Sequence, residues 1–472
     1  MTAGPTASSV PRPSGLVLSP FRALRFDSET AGELSALTSP PYDVIDADGV
    51  AALEQASEHN VVRLILPREG VGAGQDRYAR AAALLAAWRE AGVLVPDEEP
   101  ALYVYEQAAP ERDGAPGHVQ RGLLGALGLS PAEDGIVLPH ENTMAGPVSD
   151  RLALYTAVEA DLEPIFLVYD GGGAASTAVA SVDAGALGPE LLVDAELADG
   201  LRHRLWAITD DTVHEAVAAD LLGRKALIAD GHHRYATYRR RQADRHGAGA
   251  GAGPWDFGLC LLVDATAFGP QVHPIHRVVP GVPVATLAAQ AATGAAVRRL
   301  TATGDVAADV ASGATADTTP APSALDLALA ELAGATGPAF LLASGDATEL
   351  HLVTDPDPGQ LAAAVPAGRS AAWAALDVSV LHAYLVGALW DLPDDEEHVS
   401  YEHDVAGALA AAARTSGTAV LLNPTPVESV AAVAGSGERM PRKSTLFTPK
   451  PGTGLVIRDH RDYRDHTDHT DD

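Results

Sequence analysis

Two stretches of the sequence concentrate side chains that could hold a phosphate and move a proton. The first is Asp230-Gly231-His232-His233-Arg234-Tyr235, which follows the apolar run Ala226 to Ala229. An apolar run, a glycine turn and a helix-like pattern predict a strand that passes directly into a helix. The first turn of a helix has N–H groups with no internal acceptor, and the helix dipole adds partial positive charge there. That geometry suits an anion. Gly231 lets backbone approach a ligand, and Arg234 offers a planar fork of donors. His232 and His233 sit where the dipole disfavours imidazolium, so they read as neutral hydrogen-bonding groups. Asp230 would cap the helix or hold a metal ion that accompanies a phosphate. The plainer alternative is a capped helix with surface histidines. A zinc site does not fit, because neighbouring histidines on a helix point about 100° apart.

The second stretch is Met440-Pro441-Arg442-Lys443-Ser444-Thr445, continuing through Lys450 to Gly454. Lys443, Ser444 and Thr445 make a basic, hydroxyl-rich loop that could clamp phosphate. It is not a P-loop. Arg442 stands where the second glycine is required, and Pro449 and Pro451 block a following helix. A third element, His140-Glu141, places a carboxylate beside an imidazole in a loop, a general-base arrangement. A helix start would also explain Glu141.

The chain has 472 residues and a formal net charge of -31. That length allows two domains, and that charge repels nucleic acid and anionic membrane surfaces. A nucleotide needs only a local positive pocket. One cysteine, Cys260, excludes an internal disulfide and suits a reducing cytoplasm. No apolar run is long enough to span a membrane, and the first fourteen residues lack the pattern of a secretory signal. Only three lysines occur, Lys225, Lys443 and Lys450; the other 29 of 32 basic residues are arginine. A lysine kept in such a chain suggests a position that needs a compact cation.

The elements that must position these groups are legible as apolar runs. Strands are expected at 60–67, 101–107, 121–127, 163–169, 205–208, 257–263 and 419–425, with a second α/β segment at 338–355. An amphipathic helix is expected over 77–91, with Leu84, Leu85 and Trp88 inward. Ser39-Pro40-Pro41-Tyr42-Asp43-Val44-Ile45 should be extended. It reads either as a rigid loop presenting Tyr42 and Asp43 to a cleft or as a structural turn. Residues 281–319, rich in Ala, Gly and Thr, read as weakly packed or surface structure and a domain junction. The 459–472 tail reads as solvated and disordered.

Asp-Gly-His-His-Arg-Tyr resembles the motif of the ParB/sulfiredoxin-like superfamily. That group includes CTP-dependent partition proteins, ATP-using sulfiredoxin and a free-serine kinase, and in it the motif binds nucleotide phosphates at a helix start. From about Pro20 to Arg458 the chain resembles the prokaryotic family called domain of unknown function 1015. Its signatures are Pro-Pro-Tyr-Asp-Val-Ile at 40–45, His-Glu-x-Thr at 140–143 with Asp150-Arg151 downstream, Pro-x-His-Arg at 274–277 and Met-Pro-x-Lys-Ser-Thr at 440–445. The family pattern has Lys two residues before that Asp, where this chain has Val148. Tyr42, Asp43 and Arg151 are expected to line a substrate cleft.

The expected fold is α/β in the α+β sense: mixed sheets with helices, a ParB/sulfiredoxin-like core and two interdependent halves. The domains are a disordered tail at 1–14, an N-terminal α/β domain at 15–280, a C-terminal α/β region at 281–458 that folds back on the first, and a tail at 459–472. The expected function is a nucleotide-dependent phosphotransferase acting on a small polar metabolite. Its cofactors are ATP or ADP, with CTP as the alternative, and Mg²⁺. Glu141 would be the base, oriented by His140, with Asp230 at the metal or acceptor. Gly231, His232, His233, Arg234, Lys443, Ser444 and Thr445 would bind phosphates. Lys443 is expected to approach the cleft at Asp230 to Arg234. The alternatives are a non-catalytic nucleotide switch of the partition-protein type and a metal-assisted phosphatase. No nucleic acid or membrane partner is expected, and a homodimer stays open.

Overall fold

The apolar runs between residues 101 and 264 are buried almost throughout, and they become neighbouring strands. The computed structural model describes residues 10–68, 76–111, 115–300 and 322–463. The chain forms two compact units. One runs to Gln271 and takes up the chain again from Pro449; the other is Val272–Thr448.

Among the described residues, the first unit is built on a nine-stranded mixed sheet. Its strands are β1 (Leu18–Ser19), β2 (Leu102–Ala108), β3 (Val119–Gly128), β4 (Val137–Leu138), β5 (Ile165–Tyr169), β6 (Glu190–Glu196), β7 (Arg202–Ile208), β8 (Ala226–Asp230) and β9 (Phe257–Asp264). The order is β4-β8-β5-β9-β3-β2-β7-β6, with β1 paired to β3. β8 runs parallel to β4, and β5 parallel to β9; the other pairs are antiparallel. All five residues of β5 are buried, as expected of a strand covered on both faces.

Three helices of this unit pack together: α1 (Arg77–Glu90), α2 (Ala145–Val158) and α3 (His232–Gly247). α2 lies against both α1 and α3. In α1, Leu85 and Trp88 are buried, while Leu84 is only partly so. α3 buries an unusually polar stripe, Arg234, Tyr235, Tyr238, Arg241, Gln242 and His246, at helical spacing. Each polar tip has an internal partner. Tyr235 donates to the Ser130 carbonyl at 2.5 Å and Tyr238 to that of Glu163 at 3.0 Å. Arg241 meets Asp161 at 2.9 Å, and His246 meets Asp256 at 2.6 Å. The stripe is tolerated because its buried groups find partners.

The run at 60–67 and the tail from residue 459 depart from the sequence expectation. The run at 60–67 is not a strand. Val62–Ile65 is a four-residue helix, entered through Asn60, whose side chain accepts from Val62 N at 2.9 Å and donates to the carbonyls of Ala36 and Thr38. A short apolar run that is buried all round carries no periodicity to separate helix from strand. The tail is not loose from residue 459 onward. Arg458–Asp459 pairs with Ala160–Asp161, and His460 Nε2 reaches Asp161 at 3.2 Å. Residues 1–9 and 464–472 of the expected tails lie outside the described residues.

Among the described residues, the second unit is built on a six-stranded antiparallel sheet: β10 (His276–Val279), β11 (Ala296–Leu300), β12 (Phe340–Ser344), β13 (Leu350–Thr354), β14 (Ser400–Glu402) and β15 (Thr418–Leu422). Their order is β11-β13-β12-β15-β10-β14. Part of the region expected to pack weakly is well packed: helix Val284–Ala291 buries Val284, Leu287, Ala288 and Ala291. Residues 301–319 lie outside the described residues. No helix among the described residues is long and apolar enough to cross a membrane.

Candidate functional site

β8 ends in an irregularity. Its register against β5 shifts between Ile228 and Asp230, which re-aims Asp230 at the strand's end. Gly231 follows with φ +92, and α3 begins at once. A Cβ at Gly231 would lie 3.1 Å from Arg234 Nε, and no side chain would adopt that φ without strain. No side chain caps α3. The strand, glycine and helix start expected from the sequence are therefore present, with the uncapped helix end at the turn.

Arg234 does not point outward as a phosphate fork. It is 1% exposed and donates to the Pro164 carbonyl and to Asp230 Oδ2. Beneath it lies Glu163, fully buried, whose Oε1 accepts from Tyr42 N at 3.0 Å. Arg151 approaches Glu163 Oε2 at 3.9 Å and donates to the Ile65 carbonyl at 2.5 Å. Burial raises the Glu163 carboxyl above its usual range, an effect that Arg234 and then Arg151 only partly offset. Burial works against the charge on Arg234, but Asp230 first, then Glu163 and Asp43, outweigh it and raise its pKa. Arg234 ties the strand end to the core.

The histidines hold a loop. His232 Nε2 accepts from the backbone N–H of His140 at 3.2 Å, and the two rings meet edge-on at 4.6 Å. His233 Nε2 accepts from Met144 N at 3.0 Å. Both acceptors require neutral imidazoles, and burial lowers the pKa of His233. The His-Glu-x-Thr loop is thus fastened over the start of α3. Glu141 Oε2 also faces His232 Nδ1, at 3.8 Å.

The cation of this site is Lys450, a residue that the sequence singles out only by its rarity. Its Nζ lies 2.7 Å from Asp230 Oδ1 and 3.6 Å from Asp43 Oδ2. Its backbone is pinned from the sheet. Gln107 donates to the Lys450 carbonyl at 2.9 Å, Gln120 to that of Pro449 at 3.0 Å, and Gly452 N donates to Tyr105 Oη at 3.2 Å. Partial desolvation would raise the Asp43 carboxyl, but Arg234 and then Lys450 hold it below its usual range. Tyr42 lies under the Arg151 guanidinium at 4.4 Å, and burial pushes its hydroxyl up to about 12. Tyr42–Val44 forms one short helical turn, not a fully extended segment. Lys450 also lines a groove of about 640 Å³ with Pro40, Ile45, Leu53, Leu197 and Asp199.

Both oxygens of Asp230 are taken by cations, Arg234 and Lys450, so a metal there would have to displace Lys450. Asp230 is their counter-ion. Among the described residues no three His, Cys, Asp or Glu side chains gather as a metal set. Lys443, Ser444 and Thr445 belong to the second unit; the lysine at Asp230 is Lys450. The Val148 carbonyl accepts from Thr237 Oγ1 at 3.3 Å.

The profile of the family described as "Protein of unknown function (DUF1015)" matches residues 18–379, and the chain belongs to that family. The Met-Pro-x-Lys-Ser-Thr stretch lies beyond the matched residues. No curated protein matches the chain. Among solved structures, it is similar to a free serine kinase variant in complex with ADP, at 11% identity, 76% of this chain, 97% of that chain and a TM-score of 0.34. It is also similar to SbnI with C-terminal truncation from Staphylococcus aureus, at 12% identity, 74% and 90% coverage and a TM-score of 0.32. A conserved hypothetical protein from Pyrococcus furiosus gives 13% identity, 69% and 94% coverage and a TM-score of 0.30.

Proposed function

We propose that the first unit binds a nucleotide by its phosphates at the start of α3 and transfers a phosphoryl group to a small polar metabolite. The observation that carries this reading is the uncapped α3 terminus at Gly231 with the Lys450 ammonium on the adjoining Asp230. Backbone N–H groups and a mobile point charge are the elements that neutralise a phosphate. The ParB/sulfiredoxin-like reading of this core rests on the same strand, glycine and helix.

Lys450 would leave Asp43 and meet a phosphate oxygen, while Asp230 keeps Arg234 as its partner. The groove beside Lys450 has the volume of a metabolite or nucleotide pocket. Two carboxylates could serve as base. Asp43 is held ionised by two cations, which makes it a weak proton acceptor. Glu141 faces the neutral His232 and is the better base. Any Mg²⁺ would arrive on the nucleotide's own phosphate oxygens and water. Nucleotide chemistry and a buried free thiol at Cys260 suit the cytoplasm.

Calorimetry with ATP, ADP and CTP, with and without Mg²⁺, tests the binding. Heat with at least one nucleotide is expected. A folded protein that gives none with any of the three rules the reading out. Turnover of the bound nucleotide with and without a metabolite pool then separates transferase, phosphatase and switch.

A further inference from the structure

Two chemical elements of the sequence play no part in the first unit: His276-Arg277 and Met440–Thr445. Both lie in the second unit, and they touch. Arg277, on β10, is 1% exposed. Its Nη1 donates to the Ile275 carbonyl at 2.5 Å, its Nε to His382 Nε2 at 3.1 Å, and its Nη2 to the Arg442 carbonyl at 3.3 Å. The Tyr401 ring lies 4.8 Å from its guanidinium carbon. Those three bonds leave part of a five-donor fork unspent.

Among the described residues, Arg277 makes no ion pair with a carboxylate. After the Tyr401 phenol, the acid that acts on it is the carboxylate of Asp394, on the other side of His382, whose Nδ1 meets Asp394 Oδ1 at 2.7 Å. Burial consequently lowers the Arg277 pKa to about 10. A buried cation without a direct counter-ion is costly. The surroundings add positive charge. The Arg442 guanidinium is felt at both His382 and Asp394. Lys443 follows it, exposed, with φ +54, a conformation that glycine would adopt without strain. A lysine kept there, in a chain with three, suggests that its charge is used. The opposing acids are Asp394 and Glu396, the latter 74% exposed and 4.0 Å from Arg442.

We propose that Arg277, Arg442 and Lys443 form a second oxyanion site, which takes a phosphate group as the free ion or as an ester. The 3.3 Å bond from Arg277 to the Arg442 carbonyl is the weakest of the three, and a phosphate oxygen would replace it. His382 accepts from Arg277 Nε and keeps the fork oriented. The site lies wholly in the second unit and does not depend on the nucleotide reading of the first.

Hydrogen–deuterium exchange on the full chain tests it, with millimolar inorganic phosphate in one arm and glycerol phosphate in the other. Slower exchange in a peptide covering 440–446 is expected, and which arm produces it identifies the source of the phosphate. Lys443→Gly removes the charge while suiting the backbone, so it should fold at least as stably as the parent. It should weaken the half-maximal phosphate concentration about tenfold. The Arg442→Ala variant should act in the same direction. No protection of this peptide in either arm, or undiminished protection in Lys443→Gly, would show that Arg277 is a structural arginine only.

Discussion

Lys450 Nζ stands 2.7 Å from Asp230 Oδ1, while Arg234 holds the other oxygen of the same carboxylate. One carboxylate therefore balances a buried arginine and a partly exposed lysine. The two cations differ in freedom. Arg234 is enclosed and bonded to a core carbonyl. Lys450 keeps 20% of its side chain exposed and can turn to an incoming anion. Lys450→Met should weaken nucleotide binding by about 1.5–3 kcal/mol, the scale of a charged hydrogen bond. Because Asp230 keeps Arg234, the melting temperature should change little. Calorimetric affinity equal to that of the parent would remove Lys450 from the site.

Arg234→Ala should behave differently. It breaks a buried pair: Asp230 Oδ2 and the Pro164 carbonyl lose their arginine donor, and Lys450 remains only on Asp230 Oδ1. The expected loss is about 3–5 kcal/mol of stability, seen in denaturant unfolding of the purified variant. A variant as stable as the parent, deficient only in ligand binding, would restore the outward reading of this arginine.

Glu141→Gln should depress kcat in the transfer reaction and leave nucleotide affinity nearly unchanged, because a base acts on turnover. Steady-state kinetics beside calorimetry separates the two effects. Full kcat in this variant would hand the role to another group, with Asp43 the next carboxylate to test.

The sequence made the strand-to-helix turn legible because an apolar run, a glycine and a helical pattern follow one another without interruption. It did not show which way Arg234 points. That depends on α3 burying a polar stripe, and on the Pro164 carbonyl and Glu163, both far away in the chain. Lys450 was visible only as one of three lysines. Its place at Asp230 follows from Gln107 and Gln120 gripping the backbone at 449–450, a tertiary match that no local pattern encodes. The mixed sheet was legible strand by strand. The run at 60–67 failed because Asn60 and its side-chain bonds favour a turn of helix over an extended ladder.

The second unit offers a pH test. Burial raises the carboxyl of Asp377 to about 6, with the Ala339 backbone offsetting only part of the effect. Its folded pKa lies above its unfolded value, so the folded state holds the proton more tightly. Below about pH 4 both states are protonated, and Asp377 costs nothing. As pH rises from about 4 to about 6 the unfolded state loses the proton first, and stability falls. Above about pH 6 the cost is constant, at about 2–3 kcal/mol. Asp377→Asn keeps an acceptor for the Ala339 backbone and has no charge to bury. It should therefore stabilise the unit at about pH 7.5 and be neutral at about pH 4. Thermal unfolding of the variant and the parent at both values decides it. An equal difference in melting temperature at the two values would show that the substitution acts through packing, and that Asp377 carries no buried charge.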